Sequence, residues 1–195
     1  MVNRHNNWLT LSEQYLKTSK LIMSQCRTNK NAWAVISDNP IKWEDYFEKT
    51  QWSDFNTLVP SLFLLQHGLE LLVKGLLVML NIDFGREHDL NALIEKFNNN
   101  SYIESEFLEI IIDYAGINPE NPILKDFVNL NQELSKSSIH VKFRYPEFKG
   151  KETDFSPFRY RGTELLEHID QIIDDIDKII EMSLKIVRKY EKSLS

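Results

Sequence analysis

Apolar residues recur at three- and four-residue spacing through most of the chain, so the elements it predicts are helices. Trp8, Leu11, Tyr15, Leu16, Ser19, Ile22, Met23 and Cys26 trace one face of an amphipathic helix over 8–26. A polar connector over 29–40 follows, then an aromatic-rich stretch over 41–52 that suits a short helix or an ordered loop. The first long core helix is expected over 53–81, capped by Ser53 or Asp54, with Leu62, Leu65, Leu69, Leu72 and Leu76 on its apolar face. Pro60 either starts its straight part or kinks it. After a turn at Gly85, His88 or Asp89 opens a shorter helix through Leu90, Leu93, Ile94 and Phe97. A helix over 102–115 ends at Gly116, a favoured C-terminal cap, and another runs from Asn121-Pro122, with proline in the first turn, to about Ser135. Residues 137–158 read as irregular. The last helix, over 163–193, carries Leu165, Ile169, Ile172, Ile176, Ile179 and Val187 on one stripe. Its acidic start and basic end complement the helix dipole.

The expected fold is therefore all-α, an up-and-down helical bundle with a long C-terminal helix and an added N-terminal helical segment. A chain of 195 residues suits one domain, with 1–55 as an elaboration on a bundle over 56–195. All four tryptophans precede residue 53 and read as anchors that dock the N-terminal part. The most apolar stretch, Leu62 to Leu80, is interrupted by His67, Glu70 and Lys74, which argues for a buried helix over a membrane span. The polar start has no apolar signal-peptide core, and the single cysteine, Cys26, can form neither an internal disulfide nor a cysteine-based zinc site. These features point to a reducing, cytoplasmic setting and no membrane partner. The net charge of −6 leaves no general basic coat, so a polyanion would need a local patch.

Three local features, in order, resemble the HEPN superfamily of helical domains. The first is Gln66-His67-Gly68-Leu69-Glu70-Leu71-Leu72-Val73-Lys74-Gly75-Leu76-Leu77, with an acid four positions before a lysine in an apolar run. The second is His88-Asp89-Leu90 at the start of the next helix, and the third is Arg144-Tyr145-Pro146 ahead of the long final helix. The resemblance covers about 56–195 and implies a helical bundle, often dimeric. Many members are metal-independent ribonucleases of defence or toxin–antitoxin systems; others bind nucleotides or partners without catalysis.

Catalytic members carry an arginine and a histidine with four to six residues between them, one copy from each chain of a dimer. Here Arg161 and His168 have six residues between them. Arginine would hold a phosphate with its two-pronged donor, and histidine would move a proton near neutral pH, so the ribose 2′-hydroxyl could attack without a metal. The match departs from the stronger form of the pattern, with Gly162 after the arginine and Asp170 where an aromatic stands. On one helix the two would lie about 10 Å apart, so the chemistry needs Arg161 in the preceding loop. The other reading makes His168 a packing residue and pairs Arg161 with Glu164 or Glu167.

A second constellation spans 142–161. Its six basic residues, Lys142, Arg144, Lys149, Lys151, Arg159 and Arg161, face three acids, a net charge of +3. Interleaved aromatics (Phe143, Tyr145, Phe148, Phe155, Phe158, Tyr160) suit base stacking beside phosphate contacts. Equally, they could plug the end of the bundle while the lysines stay solvated. His140 and Arg144 stand in reverse order from the catalytic pattern. Glu70 and Lys74 read as an i,i+4 pair and His88 as a helix cap, with no metal or cofactor expected. Three functions follow: an endoribonuclease acting as a homodimer; a non-catalytic module that holds RNA, a nucleotide or a partner protein such as an antitoxin; or a helical oligomerisation protein.

Overall fold

The computed structural model describes residues 4–97, 100–116, 119–132, 142–143, 147–148 and 150–194. It is built from helix α1 (Arg4–Thr28), short α2 (Trp43–Thr50), the central α3 (Asp54–Met79), α4 (Leu90–Glu95), α5 (Ser105–Ala115), α6 (Pro122–Leu130) and the long α7 (Leu165–Ser193). A two-strand hairpin, Glu147–Phe148 against Lys151–Glu152, lies between α6 and α7, followed by 3₁₀ turns at Ser156–Phe158 and Gly162–Glu164. The all-α bundle expected from the periodicity is the fold observed.

The deciding contact is α1 against α3. Ser12 and Ser19 donate to the carbonyls of Gly68 and Ser61, each at 2.8 Å, while Leu9 meets Gly75 and Leu16 meets Gly68. As numbers rise on α1 they fall on α3, so the helices are antiparallel. α1 is also antiparallel to α7, tied by Lys20 to Asp177 at 2.5 Å and by Arg27 to Asp170. On the other side, Tyr114 of α5 donates to Asp175 of α7 at 2.8 Å, and Lys189 reaches the Ser101 carbonyl at 2.8 Å. The long helices therefore alternate up and down around one core that includes Leu65, Leu69, Phe107, Ile111, Ile172 and Ile176.

α1 packs within the bundle through leucines, serines, Met23 and Cys26, and of the tryptophans expected to anchor the N-terminal part Trp8 docks, beside Gly75 of α3. Trp33 and Trp43 are exposed; Trp8 meets Phe84 edge-on. By length and hydropathy α3 could cross a membrane, but 78% of its most apolar window is buried inside the bundle. The helix runs on through an exposed Pro60. Its paired Glu70 and Lys74 are among the buried residues, as a soluble core helix allows and a lipid-facing one does not.

Local caps follow the sequence closely. Asp89 accepts from the Ala92 amide at 3.0 Å and caps α4; His88 does not. Asn121 accepts from Ile123 at 3.2 Å ahead of Pro122, and Gly116 takes the left-handed conformation, φ 82°, that stops α5.

Candidate functional site

The turn that leads into α7 is held by a buried polar hub. Asp54, the first residue of α3, accepts from the Arg161 amide at 2.7 Å and from the Asn31 side-chain amide at 3.1 Å. Asn31 in turn accepts from the Asp54 amide at 2.6 Å and donates to the Gly162 carbonyl at 2.8 Å. Both side chains are buried, so each oxygen and nitrogen needs these partners. The hub fixes a turn in which Tyr160 (φ 59°) and Gly162 (φ 62°) are both left-handed. Glycine adopts that conformation freely; a bulky residue does so only when its surroundings enforce it. Cys26 lies against the hub, its Sγ 3.7 Å from Asn31 Oδ1. Burial pushes its thiol up to about 11, the Asp54 carboxylate adding to the effect and a hydrogen bond with Thr57 opposing it.

Arg161 thus precedes α7, in the loop that the proposed chemistry requires. Its guanidinium is exposed on an open cleft shared with Asp126, Asn129, Ser156 and Arg159, with Nη2 3.9 Å from the Asp126 carboxylate. That distance between exposed groups is a weak pairing. His168 lies one turn into α7, half-buried beside the core residues Leu165 and Ile169. It does not line the Arg161 cleft. A single chain therefore brings Arg159 and Arg161 to one cleft and leaves His168 off it.

The basic loop divides. Lys142 is buried, its ammonium donating to the Asn131 carbonyl at 3.4 Å, and desolvation lowers its pKa. This removes it from any polyanion-facing surface. Lys151 and Arg159 are exposed. Arg144 and Lys149, with His140 and the Arg144-Tyr145-Pro146 motif, lie outside the described residues. The aromatics divide too. Phe143, Phe155 and Phe158 gather around Phe127 at ring distances of 4.7–5.9 Å and close the end of the core. Tyr160 alone, among the loop aromatics whose side chains are described, is exposed.

On the central helix, Glu70 accepts from Lys74 at 2.7 Å and lies 2.8 Å from His88 Nδ1. Burial favours the neutral carboxyl, but the hydrogen bonds and charges of Lys74 and His88 outweigh it and hold Glu70 below its ordinary value. The expected i,i+4 pair is present, and the His88 ring, instead of capping a helix, completes a Glu70–Lys74–His88 cluster.

The profile of the HEPN domain matches residues 58–187, well over half of the chain. This chain belongs to the HEPN family. No curated protein and no solved structure matches it. The HEPN match begins at Leu58, yet the connector supplies Asn31 and the start of α3, ahead of the matched stretch, supplies Asp54 of the hub. The part of the chain outside the matched stretch therefore positions the Arg161 turn inside it. Sequence reading missed this hub and the open aromatic groove beside it. The available signal was the clustering of Trp33, Trp43, Tyr46, Phe47 and Phe55, which reads equally well as core packing until exposure is known.

Proposed function

We propose that this HEPN protein acts on RNA as a metal-independent endoribonuclease, working as a homodimer in which each chain contributes an Arg161 and a His168. The observation that carries the reading is the position of Arg161 in a rigid turn ahead of α7, its guanidinium open to solvent beside Arg159. A phosphate would displace the weakly held Asp126 carboxylate and take a charge-assisted, two-pronged contact. His168 would take the proton from the 2′-hydroxyl as the O2′–P bond forms, and a proton would pass to the 5′-oxygen as the P–O5′ bond breaks. The products would be a 2′,3′-cyclic phosphate and a 5′-hydroxyl.

A second reading has its own support. His168 does not line the Arg161 cleft in one chain, which favours a module that holds RNA or a nucleotide without cutting it. The two separate on one experiment: single-stranded RNA incubated with the protein in EDTA, with products analysed for cyclic phosphate ends. Cleavage with such ends supports the nuclease; binding with intact RNA leaves the binding module; neither removes the RNA-directed reading. A defence or toxin–antitoxin setting, with a partner protein that masks the site, is the biological context this activity suits.

A further inference from the structure

Beside the Arg161 turn lies an open groove of about 710 Å³, within the span of small-ligand sites, about 300–1,000 Å³. Its walls are aromatic: Trp33, Trp43, Tyr46, Phe47, Phe55 and Tyr160. Trp43 is 71% exposed and Tyr160 55%, so these rings are not a satellite core. Five of the six count among the exposed large apolar side chains, and apolar surface gathered in this way marks an interaction site. The rings are ordered in pairs, Phe55 with Tyr160 (5.1 Å, 22°) and Trp43 with Tyr46 (5.7 Å, 19°).

We infer that this groove receives an unpaired nucleobase of a single-stranded RNA whose phosphates lie on Arg159 and Arg161. Three observations select that occupant. First, the charge on its Tyr160 side is cationic, while α2 on the opposite wall carries Glu44, Asp45 and Glu48: Arg159 lies 5.1 Å over the Phe55 ring that walls the groove, and Arg161 follows Tyr160 on the same turn. A polyanion with planar rings matches this juxtaposition of aromatic faces and arginines. Second, the floor is polar where a base edge would meet it. Asn56 uses its amide nitrogen on the Thr50 carbonyl and Ser53 Oγ, at 3.0 and 3.3 Å, which leaves Oδ1 as an acceptor. Third, Tyr160 is held left-handed by the Asn31–Asp54 hub, with its ring against Phe55 and Trp33. Strain of this kind persists where the position of a side chain matters.

The inference rests on the RNA-directed reading, and its test is separated from cleavage by the probe. A short single-stranded 2′-O-methyl oligonucleotide cannot be cut through its 2′-oxygen. It is compared with an abasic oligonucleotide of equal length and charge, by anisotropy and by quenching of tryptophan fluorescence. The base-bearing probe should quench and bind about tenfold or more tightly than the abasic one, as stacking on an aromatic wall implies. Trp43→Ala should bring its affinity down towards the abasic level and leave abasic binding unchanged, and Tyr160→Gly should lower the affinity for the base-bearing probe more than that for the abasic one. Tyr160→Gly also relieves the left-handed strain, so the protein should remain folded. Equal affinity for the two probes, or unaltered binding by both variants, overturns the inference and leaves His168 chemistry untouched. No binding of either probe, with tryptophan emission that shifts as protein concentration rises, assigns the groove to a second copy and overturns it as well. Base-dependent binding by a protein that never cleaves ordinary RNA removes the nuclease and keeps the groove.

Discussion

Glu70 shows how a few side chains decide what a core helix can carry. Its carboxylate and the Lys74 ammonium are both buried on α3, and each makes the other tolerable. Glu70→Gln should destabilise the protein by about 3–5 kcal/mol in denaturant titrations at neutral pH, because it leaves a buried ammonium without its counter-charge. The pH dependence has a definite sign. The folded-state pKa of Glu70 is depressed, so its stabilising effect is complete above the ordinary carboxylate range and is lost as pH falls through the folded value. The gap between wild type and Glu70→Gln should therefore narrow in acid; a gap that widens would show that Glu70 does not carry the stabilising charge. In the proposed nuclease, His168 is the residue on which catalysis would turn. His168→Ala should lower RNA cleavage in EDTA by about 100- to 10,000-fold while the thermal midpoint barely moves, since the ring is half-buried at the core's edge. Arg161→Lys keeps the charge and loses the planar fork, and should impair cleavage badly as well. A fully active His168→Ala protein would leave the binding module in front.

At the scale of elements, α1 and α3 are pressed together by what their facing positions lack. A Cβ on Gly68 would sit 2.9 Å from Leu16 Cδ2 and 3.2 Å from the Leu16 backbone nitrogen, which cannot rotate away. Gly68→Ala should then cost about 1–3 kcal/mol despite alanine's better helix propensity, seen as a lower denaturation midpoint at unchanged slope. An unchanged midpoint would mean that α1 stands further off than drawn. The helices themselves were legible: spacing located α3 to α7 within a few residues, and Asp89, Gly116 and Asn121-Pro122 marked ends that the structure keeps. What was not legible was which faces met. Ser12, Gly68 and Gly75 are small residues with no apolar signature, so spacing put Ser19 on the packing face of α1 but could not show that this face meets α3. The loop over 142–161 misled in the same way. Charge counts treated Lys142 and Arg159 alike, yet one donates to a buried carbonyl and the other stacks on exposed rings, a distinction set by α6 and α3 contacts far away in sequence.

For the whole molecule, the question is how a protein of net charge −6 could meet a polyanion. Within the chain, α1 and α5 pack on the apolar stripe of α7 and bury Ile169, Ile172, Ile176, Ile179 and Ile186, while Leu184 stays exposed, so the buried part of the stripe gives no separate argument for a second copy. The homodimer proposal rests on the shared-site chemistry of Arg161 and His168 alone. Long-range attraction is equally absent: α2 carries Glu44, Asp45 and Glu48, and α7 opens with a run of acids. Under the proposed function, RNA would be captured at short range by a few exposed cations, with Arg159, Arg161 and Lys151 as the described candidates from the loop. Binding should accordingly be salt-sensitive with a shallow slope. Each phosphate contact to a single strand contributes about 0.7 to the fall of log K with log salt. The double variant Arg159→Ala/Lys151→Ala should weaken RNA binding and flatten that slope by up to about 1.4, one contact's worth for each side chain lost. Its fold should hold, because both residues are exposed and the Phe127–Phe143–Phe158 cluster beneath them is unaltered. A slope equal to that of the wild type, measured over the same salt range, would move the phosphate track to another face of the bundle.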